Sequence, residues 1–176
     1  MIKQTPNLTL NDHPEHFVIR YEAIRTLLLN LLDSPVTAVH HIGGTALSHA
    51  LTSSVIDVLV IVPNLHAMTT LDEKRLNNSG FYRLHHPYQK KCVFAQFTDL
   101  QTLNEQCRLH IVEADSDKAA RYLAAHQLLK EQPALINQFN DFKETLVGLT
   151  KKEYEEEKSN WFSSAIANQL NCCYNK

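Results

Sequence analysis

Apolar residues recur at helical spacing near the start of the chain, at Phe17, Tyr21, Ile24, Leu27, Leu28 and Leu31. Such positions share one helix face, so a helix is expected over residues 14 to about 33, with Pro14 in its first turn. Residues 36–41 read as a short strand. Gly43-Gly44-Thr45 breaks it, and a short helical turn is expected near residues 46–51. Residues 54–62 form a nearly unbroken apolar run holding one acid, Asp57. That is the profile of a central strand covered on both faces. Asn64 suits the cap of a helix ending near Gly80. Residues 81–84, 92–97 and 108–112 read as three more strands. The last third reads as helical. One helix spans about 116–130. Pro133 opens a second, with Leu135, Phe139, Phe142 and Leu146 on one face and Gly148 closing it. Thr150-Lys151-Lys152-Glu153 has capping-box form and starts a third, carrying Tyr154, Lys158, Phe162, Ile166 and Leu170 at four-residue steps. The expected class is α/β (α+β): a mixed sheet flanked by helices with a C-terminal helical subdomain. The whole of 1–176 is read as one domain, with a core over about 10–112 and the helices over about 115–170.

Composition narrows this little. At 176 residues and 44% hydrophobic, the chain can bury about 70% of its unfolded surface without a disulfide or metal. A formal charge of −2 gives no strong nucleic-acid signal. The start of the chain lacks an apolar leader, and the longest apolar run is too short to span a bilayer, so a cytoplasmic chain with no membrane contact is expected. Four cysteines without a C-x-x-C spacing, including Cys172-Cys173, read as reduced thiols. The unusual figure is ten histidines. Protonating all of them, against 17 Lys and Arg and 19 acids, takes the formal charge from −2 to +8.

The chemistry-bearing stretch is His40-His41-Ile42-Gly43-Gly44-Thr45, followed by Val55-Ile56-Asp57-Val58. Paired glycines let backbone amides approach a phosphate, and an acid on the next strand can hold Mg²⁺ against it. The same residues also fit a tight turn and a carboxylate paired inside the fold. Burying that carboxylate unpaired would cost several kcal/mol, so Asp57 needs a partner either way. His41, Asp57 and His110 stand on separate expected strands. They fit either a metal set or a hydrogen-bonded polar layer. His85-His86-Pro87 reads as an exposed turn.

His41-Ile42-Gly43-Gly44-Thr45-Ala46 resembles the His-Ile-Gly-Ser-Thr-Ala motif of the GrpB family, and Val55-Ile56-Asp57-Val58 resembles that family's Pro-Ile-Ile-Asp-Ile segment. The likeness continues through Arg108-Leu109-His110, the stretch from Tyr122 to Pro133, Phe139 with Lys143, and Tyr154, Lys158 and Phe162. The resemblance implies a nucleotidyltransferase-like fold. It implies phosphate binding by Gly43, Gly44, Thr45, Lys143 and Lys158, with Asp57 catalytic and holding Mg²⁺. His41, His110, Tyr154 and His126 would complete the pocket. The implied ligand is a nucleotide or another phosphorylated small molecule.

The chain departs from that pattern at several points. Leu59 stands where a second metal-binding acid would. Gly44 replaces the usual Ser, Arg108 replaces the first His of a His-x-His strand, and His126 stands where the family keeps Arg. Two readings follow: a binding protein with weak or lost nucleotidyl or phosphoryl transfer, a possible pseudoenzyme, or a regulatory or protein-interaction module on the same scaffold.

Overall fold

The computed structural model describes residues 7–31, 33–85 and 89–174. The apolar run after Ser54 forms strand β4 (Ile56–Val62), with every residue but Asp57 buried. On one side β2 (Ala38–Ile42) pairs with it antiparallel, and on the other β7 (Glu105–Glu113) pairs parallel. Strands β6 (Cys92–Phe97) and β5 (Phe81–Arg83) extend the sheet beyond β7, giving a mixed five-stranded order β2-β4-β7-β6-β5. The parallel register sets Asp57 beside Arg108 and Leu59 beside His110.

Alternation along β4 divides its side chains between two faces. Val58, Val60 and Val62 join Phe17, Tyr21, Ile24 and Leu28 of α1 (Glu15–Leu29) and Leu76 of α2 (Thr70–Asn78) in the main core. Leu59 and Ile61 lie on the other face with Ile42, Val112 and Ala119, the last from α3 (Asp117–Glu131). Asp57 belongs to this second face, at the start of the strand. A third cluster joins the loop after β2 to the C-terminal helices. There Leu47 and Ala50 pack on Leu129 of α3 and on Ile136 and Phe139 of α4 (Pro133–Thr145), with Trp161 and Phe162 of α5 (Lys151–Tyr174) behind them.

Helix α1 stops at Leu29, four residues short of the expected end. Asn30 closes it, the Ser34 hydroxyl donates to the Leu28 carbonyl, and Pro35 follows. The turn expected over 46–51 is a single 3-10 turn at Gly44–Ala46. The chain after it forms β3 (Leu51–Thr52), which pairs with β1 (Thr9–Leu10). That two-residue pairing has no periodicity to read. Asn64 caps only a 3-10 turn at Leu65–Ala67, and α2 starts later on a Thr69–Asp72 capping box. On α4 the expected face packs inward, Phe139 fully and Leu135 and Phe142 in part, and Ile136 and Lys143 are buried beside it. The Thr150–Glu153 box is formed, with each residue's backbone amide bonded to the other's side chain. His86 and Pro87, and the side chains of Leu170, Cys172 and Cys173, lie outside the described residues.

Candidate functional site

Gly43 sits at φ +76° and ψ −169°, a region open essentially to glycine alone. A Cβ there would come 3.0 Å from Asp57 Oδ2. The glycine thus lets the turn pass directly over the carboxylate. Gly44 is constrained differently: a Cβ there would lie 2.9 Å from the Leu51 carbonyl oxygen and 3.2 Å from Thr52 Cβ. The amide of Asn11 braces the turn, donating toward the carbonyls of Gly44, Thr45 and Leu47 at 3.2, 3.3 and 3.0 Å. Thr45 is fully buried, and its hydroxyl bonds His41 Nε2 at 2.9 Å.

Asp57 meets its partner across β7. His110 Nε2 lies 3.0 Å from Asp57 Oδ1. Burial pushes the His110 pKa down despite the nearby carboxylate, so the ring is neutral at pH 7. An ionised Asp57 only accepts, so Nε2 carries the proton and Nδ1 has the lone pair. Nδ1 faces the Tyr122 hydroxyl at 3.5 Å, and Lys91 Nζ donates to that hydroxyl at 3.0 Å. The polarity runs one way, from Lys91 through Tyr122 and His110 to Asp57. Burial raises the Asp57 pKa, but the His110 bond and the charges of Arg108 and Lys158 outweigh it and bring it to about 2.

The cations around Asp57 bring acids of their own. Arg108 lies on the same sheet face as Asp57 and forks its Nε and Nη2 onto Glu105. Lys158 reaches in from α5, bonded to Glu155 at 3.3 Å and lying 5.1 Å over the Tyr154 ring. Burial alone would lower the Lys158 pKa; Glu155, Tyr154 and Asp57 together raise it. Burial, with Lys118 and Arg108 nearby, lowers Lys91 to about 8.

The other expected site residues are distributed around this center. Tyr154 is buried beneath Lys158. Lys143 is 3% exposed, donates to the Leu51 carbonyl at 2.6 Å and sits 4.1 Å over the Phe139 ring. Its amine therefore holds β3 to α4. His41 points to the α1 face and stacks on Tyr21 at 4.8 Å, so it does not share a face with Asp57 and His110. His126 has a buried Nδ1 with no hydrogen-bond partner among the described residues, and burial lowers its pKa. Two hollows elsewhere, one apolar beneath α1 and one beside the start of α3, do not include Asp57.

Among the described residues no group of three or more His, Cys, Asp and Glu is placed to hold a metal ion. Mg²⁺ demands near-octahedral oxygen ligands. Here one carboxylate is available, its Oδ1 bonded to His110 and its Oδ2 packed against Gly43. Leu59, where a second acid would stand, is fully buried among Ile42, Val112 and Ala119. The donor set does not fit a divalent cation.

Sequence reasoning missed Lys91, Tyr122 and Asn11, and treated Arg108 only as a departure from a pattern. Arg108 was findable, since it stands two residues before His110 and shares its strand face. Lys91, Tyr122 and Asn11 come from distant segments and have no local signature.

A structure of the Cid1 poly(U) polymerase with Mg and 3'-dATP bound superposes with a TM-score of 0.50 at 14% identity, covering 69% of this chain and 36% of that one. The crystal structure of the conserved protein GrpB from Enterococcus faecalis superposes with a TM-score of 0.70 at 18% identity, covering 96% and 98%. The fold is of the nucleotidyltransferase-like class. The "Glutamate-rich protein GrpB" of Alkalihalophilus pseudofirmus is 28% identical over 138 residues, 78% of this chain and 79% of that one. The family model described as GrpB protein matches residues 7–168, and the chain belongs to the GrpB family. Among the described residues no helix is long and apolar enough to cross a membrane.

Proposed function

We propose that the chain is a cytoplasmic binding protein for a nucleotide or another phosphorylated small molecule, held at the Asp57 face. The observation that carries this reading is the Gly43-Gly44-Thr45 turn passing directly over the Asp57 carboxylate, with Arg108 in register beside it on β7. Paired glycines at such a turn let backbone amides come close to a phosphate. Lys143 and Asn11 contribute by holding the turn in shape, and His110 and Tyr154 line the face. The Mg²⁺ and nucleotide named for the Cid1 structure belong to that enzyme.

Transfer chemistry is weak or lost in this reading. Two-metal phosphoryl transfer needs a second carboxylate, and Leu59, buried in register between His40 and His110, supplies none. The same observation favors a second reading, in which the bound ligand regulates a protein contact and the scaffold is a pseudoenzyme.

A thermal-shift panel of ATP, GTP, UTP and pyrophosphate tests the binding claim. A ligand at a hundredfold excess over its Kd stabilizes by about 2.7 kcal/mol, so at least one probe should raise Tm by several degrees. No shift with any of the four would contradict it.

A further inference from the structure

Lys91, just before β6, stands at the outer end of a line of polar groups that runs inward across the sheet. Its Nζ donates to the Tyr122 hydroxyl of α3 at 3.0 Å, that hydroxyl faces His110 Nδ1 at 3.5 Å, and His110 Nε2 donates to Asp57 Oδ1 at 3.0 Å. Asp57 keeps the ring's proton on Nε2, so Nδ1 turns its lone pair to Tyr122. A proton leaving the amine therefore has an acceptor. The phenol takes it while handing its own to Nδ1, and Asp57 steadies the imidazolium that results. His110 is buried, whereas Lys91 and Tyr122 are partly exposed, so the amine is the end that meets solvent.

The charges acting on this amine come from four elements. Burial, Lys118 of α3 and Arg108 of β7 disfavor its protonation, while Glu155 of α5 and Asp57 of β4 favor it, and the balance rests at about 8. About a tenth of Lys91 is then neutral at pH 7, against under about a thousandth of a free lysine.

We propose that Lys91 is a site of covalent acylation by acyl phosphates, with Tyr122, His110 and Asp57 as the line that accepts its proton. The neutral Nζ attacks the carbonyl carbon. The carbon–nitrogen bond forms as the carbon–oxygen bond to phosphate breaks, and inorganic phosphate leaves with that electron pair. The new bond makes the nitrogen's extra proton acidic, and it passes to Tyr122 as the phenol proton moves to His110. The line offers a base to the amine but no acid to the leaving group, which selects a donor whose leaving group departs as an anion. Lys118 is tied to the Gln89 carbonyl, two residues before Lys91, at 2.9 Å, and its charge favors a donor that is itself anionic. An acyl phosphate meets both conditions, and an amide or alkyl ester meets neither.

The test treats the full chain with acetyl phosphate at pH 7.5 and follows acetylation of each lysine over time by peptide mass spectrometry. Lys90, exposed and next in sequence, is the internal reference. Lys91 should react about tenfold faster than Lys90, the larger share of neutral amine being partly offset by its lower basicity and its cover. Tyr122→Phe keeps the ring and should slow Lys91 severalfold while leaving Lys90 unchanged. If that variant does not fold, the pH profile of the wild type carries the test: the rate at Lys91 should level off above about pH 8, where Lys90 keeps climbing. Lys91 reacting no faster than Lys90, a rate at Lys91 untouched by Tyr122→Phe, or two pH profiles of the same shape would each overturn the proposal. None of these results bears on nucleotide binding.

Discussion

At the scale of single residues, three groups tie stability to pH in the same direction. Burial, with the charge of His126 adding to it, lowers the His41 pKa from 6.5 to about 4, against the pull of Asp57. Burial lowers His110 as well. In the unfolded chain both histidines take up protons near pH 6.5, while in the folded chain they resist. The unfolded state therefore binds more protons below that pH, and stability falls as the pH drops from about 6.5 to about 4. Asp57 acts lower, its contribution fading from its ordinary 3.8 to about 2 as the carboxylate is neutralized. His41 alone should account for about 2 kcal/mol of the loss by pH 4, allowing for its partial exposure. Urea denaturation at neutral pH and near pH 4.5 should show a smaller drop in midpoint for His41→Phe, which keeps a ring against Tyr21 but does not titrate. An equal drop in both proteins would rule out His41 as the source. Ten histidines pointed to acid sensitivity from the sequence, but composition could not separate the solvated ones from those that resist protonation.

Between elements, the glycine turn is shaped by what packs on it. The structure gives Gly44 a reason the sequence lacked: β3 lies against it, with the Leu51 carbonyl where a side chain would begin. Asn140 and Lys143 of α4 hold that strand, bonding the Leu51 amide at 2.8 Å and its carbonyl at 2.6 Å. Gly44→Ser, the residue the family pattern favors, should therefore destabilize the chain by about 1–3 kcal/mol, the usual effect of overpacking. Thermal melts would check this, and an unchanged Tm would mean that β3 can give way. The long periodic elements α1, α3 and β4 were legible because each repeats one signal many times. The β1–β3 pair was not, because two residues on each side carry no period. Lys143 was expected at a phosphate from the family resemblance, which does not disclose the partner of a lysine on a helix face. Here the partner is a backbone carbonyl set in place by the fold.

Across the whole molecule, the decisive event is the parallel pairing of β4 with β7, which are separated by α2, β5 and β6. It places Asp57 beside Arg108 and within reach of His110. Asp57 and His110 stood out in the sequence as one acid and one histidine in apolar strands. Their juxtaposition with Arg108, Lys91, Tyr122 and Lys158 depends on sheet order and on how α3 and α5 pack across that face, which local pattern does not encode. A phosphorylated ligand is expected to bind on this assembled face. Amide and side-chain chemical shifts of the isotope-labeled chain, followed by NMR as ATP is added in EDTA, test it most directly. The largest changes should fall on Gly43, Gly44, Thr45, Asp57, Arg108 and His110, with Lys158 and Tyr154 following. Changes centered instead on the hollow beside α3, at His40, Ser116 and Leu123, would contradict it, as would a spectrum that ATP leaves unmoved.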